Sequence, residues 1–191
     1  MTKADKVTLS RIILAPLFFI IYRYPIFSSL VSAIILWVLF GAIEISDFID
    51  GKIARLSSEV SDFGKLFDPF ADVLARITYF VCFAFSGIMP LWVLLVILYR
   101  EFGILFLRMM LSFRGIAMGA RVGGKLKAGL YMISGLLSLL LVTMENLSFG
   151  ASLLPALKTI VIVAYIAAGV VSIASFADYF VQFKKLTSRK S

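Results

Sequence analysis

Four aspartates stand in two pairs, Asp47/Asp50 and Asp68/Asp72, and between them the chain reads Gly51, Ala54-Arg55 and, after eight residues, Gly64. Carboxylates in this number suit hard divalent cations, which take oxygen ligands and keep positions open for water or phosphate. If each pair lies on a helix, its two members share one face, and the pairs can look at each other across a helical hairpin. Four unpartnered carboxylates at a membrane boundary would be expensive, and Mg²⁺ or Mn²⁺ is the simplest way to hold them together. A two-metal site would clamp a pyrophosphate and stabilise the entering and leaving oxygens of an in-line displacement. Phosphoryl-type transfer is therefore the expected chemistry. A glycine inside a helix costs about 1 kcal/mol relative to alanine. Gly51, with Ala54 one turn along, clears a strip where a phosphate-bearing ligand can approach the backbone, and Arg55 offers a fork to its oxygens. A lone D-x-x-D at a helix end is more often a solvated face, but two pairs with these residues between them are poorly explained that way.

The elements that must position these residues are membrane helices. Of 191 residues, 61% are hydrophobic and 16% charged, with a mean hydropathy of +1.02, far from the balance of a soluble domain. There is no histidine, and Cys82 is the single cysteine, so His/Cys zinc sites, a Ser-His-Asp triad and a disulfide framework are excluded. The net charge of +8 is expected to face anionic lipid headgroups rather than nucleic acid. Apolar runs at Thr8–Tyr22, Ser28–Ile45, Phe67–Ser86, Pro90–Met110, Lys127–Met144 and Leu154–Phe183 predict an all-α integral membrane protein with six transmembrane helices in a single domain, 1–191. The connections Asp47–Lys65 and Arg108–Lys127, like both termini, are rich in Lys and Arg, whereas the opposite connections border only Arg23 and Lys158. The positive-inside rule then puts the N- and C-termini in the cytoplasm. Charged residues from Met1 to Arg11 lead into the first run without a cleavage-like site, so that run is expected to be a retained span. Phe176–Phe183 is expected to anchor at the interface, Trp37 and Trp92 to pack or sit at interfaces, and Cys82 to act as a small apolar filler.

The pattern D-x2-D-G-x2-A-R-x8-G-x3-D-x3-D, met by Asp47, Asp50, Gly51, Ala54, Arg55, Gly64, Asp68 and Asp72, resembles the signature of the CDP-alcohol phosphatidyltransferases, whose six-span layout with cytoplasmic ends is also similar. The resemblance implies transfer of a phosphatidyl-type group from a CDP-linked lipid such as CDP-diacylglycerol to a small alcohol, with release of CMP. It implies that Asp47, Asp50, Asp68 and Asp72 hold the metal pair, and that Asp72 is also the base for the acceptor hydroxyl. Gly51, Ala54, Arg55 and Gly64, with Asp47, Asp50 and Asp68, would line the CDP site. It further implies a homodimer in a bacterial inner membrane, with its active site facing the cytoplasm.

Thr8-x-x-Arg11, Asp68-Pro69-x-Ala71-Asp72, Arg100-Glu101-Phe102 with Arg108, and Gly124-Lys125-x-Lys127 look like stretches of the branch that uses glycerol 3-phosphate, the bacterial phosphatidylglycerophosphate synthases. A dianionic acceptor needs cations, and Arg108, Arg121, Lys125 and Lys127, with Arg100 deeper, are the candidates; ordinary topology charge is the competing explanation. Ala4-Asp5, Val73 and Ala128 depart from that branch's usual Pro-Asn, Lys and Thr, so inositol phosphate, serine and choline stay open as acceptors. Arg100-Glu101 is a charged pair in an apolar span, which is costly. Adjacent helical residues point about 100° apart, so the two are not expected to pair with each other; Arg100 is expected to reach an acceptor cavity while Glu101 braces Arg76 or Arg108, and an interhelical ion pair that fixes packing explains them equally well. A membrane prenyltransferase would also use aspartate pairs, but not this Gly51 and Ala54-Arg55 spacing. A divalent-cation transporter would carry its carboxylates near mid-membrane, whereas all four aspartates here lie at span ends.

The nucleotide side can be tested from the motif alone. Arg55→Ala and Gly51→Leu are expected to raise the KM for CDP-diacylglycerol about tenfold, the cost of one charged hydrogen bond or a blocked approach, whichever alcohol is supplied. Unchanged CDP-lipid binding in Gly51→Leu would put the nucleotide elsewhere.

Overall fold

A computed structural model describes residues 3–24, 26–56, 62–116 and 122–188, and side-chain surroundings at 8–24, 26–46, 67–116 and 123–188. Six helices account for almost all of it: α1 (Lys3–Arg23), α2 (Ser29–Leu56), α3 (Asp62–Phe85), α4 (Leu91–Phe113), α5 (Val122–Asn146) and α6 (Leu154–Ser188). Each expected apolar run falls on one helix. The differences lie on the charged side, where α2 continues to Leu56, α3 begins at Asp62 and α4 continues to Phe113. Hydropathy marks where the apolar stretch stops, but the backbone hydrogen-bond ladder continues as long as good helix formers follow.

By length and apolarity, Ser29–Ser46, Gly123–Asn146 and Leu154–Ser188 qualify as membrane spans among the described residues. The other three helices carry charges within their apolar stretch: Arg11 in α1, Asp68, Asp72 and Arg76 in α3, and Arg100, Glu101 and Arg108 in α4. At 1.5 Å per residue, the 35 residues of α6 reach about 50 Å. That is more than a bilayer core needs.

Helix α1 packs against α2 and α3, while α4 and α5 pack against α6; the two groups meet where α3 touches α4 and α5 and where α2 touches α5. An aromatic cluster fills the junction. The Tyr79 ring stands edge-on to Phe40 at 5.3 Å and to Phe80 at 4.8 Å, and Phe80 meets Tyr131 at 5.5 Å and Tyr165 at 5.8 Å. Such pairs contribute about 0.5–1.5 kcal/mol each beyond area burial. The buried phenols also need partners for their hydroxyls. Tyr131 pairs with Ser172 at 2.6 Å and Tyr165 with Ser138 at 2.8 Å, which ties α5 to α6. Trp37 donates Nε1–H to Thr143 Oγ1 at 3.0 Å, tying α2 to α5. Cys82 is buried in this core as a small filler. Gly87, at φ +73°, closes α3 by letting Ile88 N–H return to the Phe83 carbonyl at 2.9 Å.

One glycine sets the spacing of the core. A Cβ on Gly135 of α5 would stand 2.9 Å from Phe40 Cε2 and 3.2 Å from Tyr79 Cε2. Gly135→Val is therefore expected to destabilise the fold by about 1–3 kcal/mol, as overpacking does, read as a lower thermal midpoint in detergent. Gly129→Ala, where a Cβ meets nothing within 4 Å, should leave the midpoint level or raise it.

Candidate active site

Positions 47, 50, 51, 54 and 55 all lie on the last turns of α2, and position 64 lies on the first turn of α3. The side chains of Asp47, Asp50, Ala54 and Arg55, and the surroundings of Gly51 and Gly64, lie outside the described residues. The backbone nevertheless meets the condition that the motif required, since Asp47 and Asp50 are i,i+3 on one helix and Asp68 and Asp72 are i,i+4 on the next.

Asp68 and Asp72 are held from two sides. From α1, Thr8 donates its hydroxyl to Asp68 Oδ1, and Arg11 places Nη2 at 3.3 Å from the same oxygen and Nη1 at 4.0 Å from Asp72 Oδ1. Thr8 and Arg11 are three apart and so share a face of α1. From α3 itself, Arg76 Nε lies 3.1 Å from Asp72 Oδ1. Arg11 is 1% exposed, whereas the carboxylates of Asp68 and Asp72 are 37% and 25% exposed. The cations are thus buried behind the carboxylates, and the carboxylates face the open side. Half-exposed oxygen donors held rigidly one turn apart have the chemistry that Mg²⁺ or Mn²⁺ needs, so the residues present fit such an ion.

Arg76 also reaches α2, with Nη2 at 3.6 Å from Glu44 Oε2, and Glu44 Oε1 accepts the Tyr79 hydroxyl at 2.9 Å. Glu44 lies one turn before Asp47, and Arg76 one turn after Asp72. Their contact brings the two aspartate-bearing segments side by side. The sequence reading had offered Arg76 to Glu101 and passed over Glu44, which stands at the end of an apolar run. The available signal was the same for both: an ionisable residue inside a span.

Arg100 and Glu101 correct a second expectation. They do pair with each other: Arg100 Nη1 lies 3.0 Å from both carboxylate oxygens of Glu101. Divergence of neighbouring Cβ directions did not prevent this, because the long arginine stem swings its planar fork back to its neighbour. Glu101 braces neither Arg76 nor Arg108; its other partner is Lys127 of α5, whose Nζ is 2.8 Å from Oε1. Arg100 Nη2 donates to Ser175 of α6 at 2.8 Å. All three charged groups are buried, in two cations and one carboxylate.

Tyr179, placed by the sequence among interfacial anchors, is instead 2% exposed and links this cluster to Arg108. The guanidinium carbons of Arg100 and Arg108 stand 5.7 and 5.6 Å from its ring centroid, and Arg108 Nη2 donates to its hydroxyl at 3.2 Å. Of the other expected acceptor residues, Lys125 is exposed and Arg121 lies outside the described residues. The structure therefore brings Arg100, Arg108 and Lys127 together around Glu101 and Tyr179.

The CDP-diacylglycerol–glycerol-3-phosphate 3-phosphatidyltransferase of Treponema pallidum is 40% identical over 153 residues, 80% of this chain and 71% of that protein. Its namesake in Bacillus subtilis is 33% identical over 139 residues, 68% of this chain and 72% of the relative. The cardiolipin synthase (CMP-forming) of Streptomyces coelicolor is 35% identical over 104 residues, 53% of this chain and 47% of the relative. Residues 1–171 match the family described as CDP-alcohol phosphatidyltransferase. Since that match runs from α1 well into α6, the chain belongs to the CDP-alcohol phosphatidyltransferase family.

Proposed function

We propose that this phosphatidyltransferase moves the phosphatidyl group of CDP-diacylglycerol to glycerol 3-phosphate and releases CMP, as a step of phospholipid biosynthesis. The observation that carries the reading is the Asp68/Asp72 pair, pinned from behind by Arg11 and Arg76 with its carboxylates on the open side. The acceptor hydroxyl oxygen attacks the phosphorus that bears diacylglycerol. The bond from that phosphorus to the CMP oxygen breaks, CMP leaves with the bonding pair, and Asp72 takes the hydroxyl proton. Asp47, Asp50, Asp68 and Asp72 would hold two Mg²⁺ or Mn²⁺ ions, which when bound supply charge neutralisation at the pyrophosphate. Gly51, Ala54, Arg55 and Gly64 line the CDP side.

Glycerol 3-phosphate suits the cationic excess of the second cluster. Arg100 and Lys127 share the single carboxylate of Glu101, and Arg108 rests on a neutral ring, so the group retains positive charge for a phosphate. Relatives named for this acceptor support it. Arg121 and Lys125 flank the approach in sequence. All six helices cross the membrane as one domain, because the charges of α1, α3 and α4 are met by partners inside the bundle. The enzyme works as a homodimer in a bacterial inner membrane with termini and site in the cytoplasm, as the Lys and Arg distribution favours for topology. The shorter likeness to a cardiolipin synthase supports a second reading, in which phosphatidylglycerol is the acceptor.

Replacing any of Asp47, Asp50, Asp68 or Asp72 by alanine is expected to abolish transfer in a protein that still folds in detergent. EDTA should silence the wild type, and Mg²⁺ or Mn²⁺ should restore it. Near-normal turnover in two of the four variants would refute a shared cluster.

With labelled CDP-diacylglycerol and a panel of glycerol 3-phosphate, glycerol, phosphatidylglycerol, inositol phosphate, serine and choline, the phosphorylated glycerol should be used and plain glycerol refused. Arg108→Ala or Lys125→Ala should raise the acceptor KM by about one to two powers of ten, the cost of a charged hydrogen bond, with that for CDP-diacylglycerol nearly unchanged. A preference for serine or choline would return these residues to the role of topology charges.

A further inference from the structure

We propose that Glu44 is a positioning residue for this reaction, acting through Arg76 to orient Asp72. The inference rests on the reading above in which Asp72 receives the acceptor proton.

Arg76 is 6% exposed and touches Asp72 from Nε and Glu44 from Nη2. On its own, the Arg76–Asp72 pair is an i,i+4 contact within one helix, a weak restraint on two rotatable side chains. Glu44 comes from α2 and gives the guanidinium an ion-pair contact outside its own helix, which restricts where the fork can lie. The far end of the chain is anchored in turn. Glu44 Oε1 accepts from Tyr79, and that ring is fully buried among Phe18, Phe40, Phe80 and Phe83. Order thus runs from a packed aromatic through a hydroxyl, a carboxylate and a guanidinium to Asp72 Oδ1. Asp72 Oδ1 is also approached by Arg11 at 4.0 Å, farther than Arg76 at 3.1 Å. A carboxylate that must meet an incoming hydroxyl loses rate steeply when its geometry drifts by an ångström or less.

Glu44→Gln keeps an acceptor for Tyr79 and removes the charge that holds Arg76. It is expected to lower kcat about tenfold, while the KM of each substrate stays within about twofold. Mn²⁺ affinity, read by electron paramagnetic resonance, should fall by much less than kcat, because only Asp72 of the four proposed metal-holding aspartates loses its orientation. Glu44→Asp should recover part of the rate. The Glu44→Gln/Arg76→Met double variant should be no slower than Arg76→Met alone, because a residue that acts through another adds nothing once that other is gone. Tyr79→Phe, which removes one oxygen from a packed ring, should lower kcat about threefold and fail to multiply with Glu44→Gln. It keeps the test open if Glu44→Gln does not fold. The proposal is overturned if Glu44→Gln turns over within twofold of wild type, if its effect multiplies independently with that of Arg76→Met, or if Mn²⁺ affinity falls in step with kcat. Asp72→Asn separates the two levels. If it keeps turnover, the role given to Asp72 is wrong; if it is dead while Glu44→Gln is normal, only the positioning role is lost.

Discussion

A charge taken into the apolar interior of a helical bundle must bring its partner with it, and the arrangement of this protein follows from meeting that condition. The aspartates proposed to serve the chemistry cannot stand alone at a membrane boundary. Arg11 and Arg76 are buried behind them, and each is fixed by more than one contact. Because the partners come from α1, α2 and α3, satisfying the carboxylates also decides how those three helices pack. Charge pairing and tertiary structure are here one requirement.

The same logic operates in the second group of helices with the sign reversed. Glu101 is one carboxylate among Arg100 and Lys127, and Ser175 and Tyr179 supply the remaining contacts from α6. On the proposed reading, one half of the site is rich in carboxylate for metal and pyrophosphate and the other is rich in cation for an acceptor phosphate. The two halves join where α3 packs against α4 and α5. The start of α5 lies close against α6: a Cβ at Gly123 or Gly124 would meet Ser175 at 3.6 Å or the Tyr179 hydroxyl at 3.4 Å, in ordinary van der Waals contact.

Away from the charges, the junction of the two groups is held by aromatic edges and by hydroxyl pairs, as suits a bundle whose surroundings are as apolar as its side chains. Without a hydrophobic difference between lipid and core, association rests on close packing and interhelical hydrogen bonds. Tyr131–Ser172, Tyr165–Ser138 and Trp37–Thr143 supply such bonds, and Gly135 permits the close packing of Phe40 and Tyr79.

The sequence by itself determined the helices, because apolar runs are read locally, and it determined the aspartate motif, because i,i+3 and i,i+4 spacings on a helix need no knowledge of what packs beside it. It showed that Arg100 and Glu101 were costly inside a span. It could not say what relieved the cost. The pairing of Arg100 with its own neighbour, the capture of Lys127 by Glu101, the contact of Arg76 with Glu44 and the burial of Tyr179 between two guanidiniums were decided only by tertiary structure. A long charged side chain sweeps a sphere that several helices enter. Which carboxylate it meets depends on the rotation and depth of those helices, and these are set by packing contacts between residues far apart in the chain.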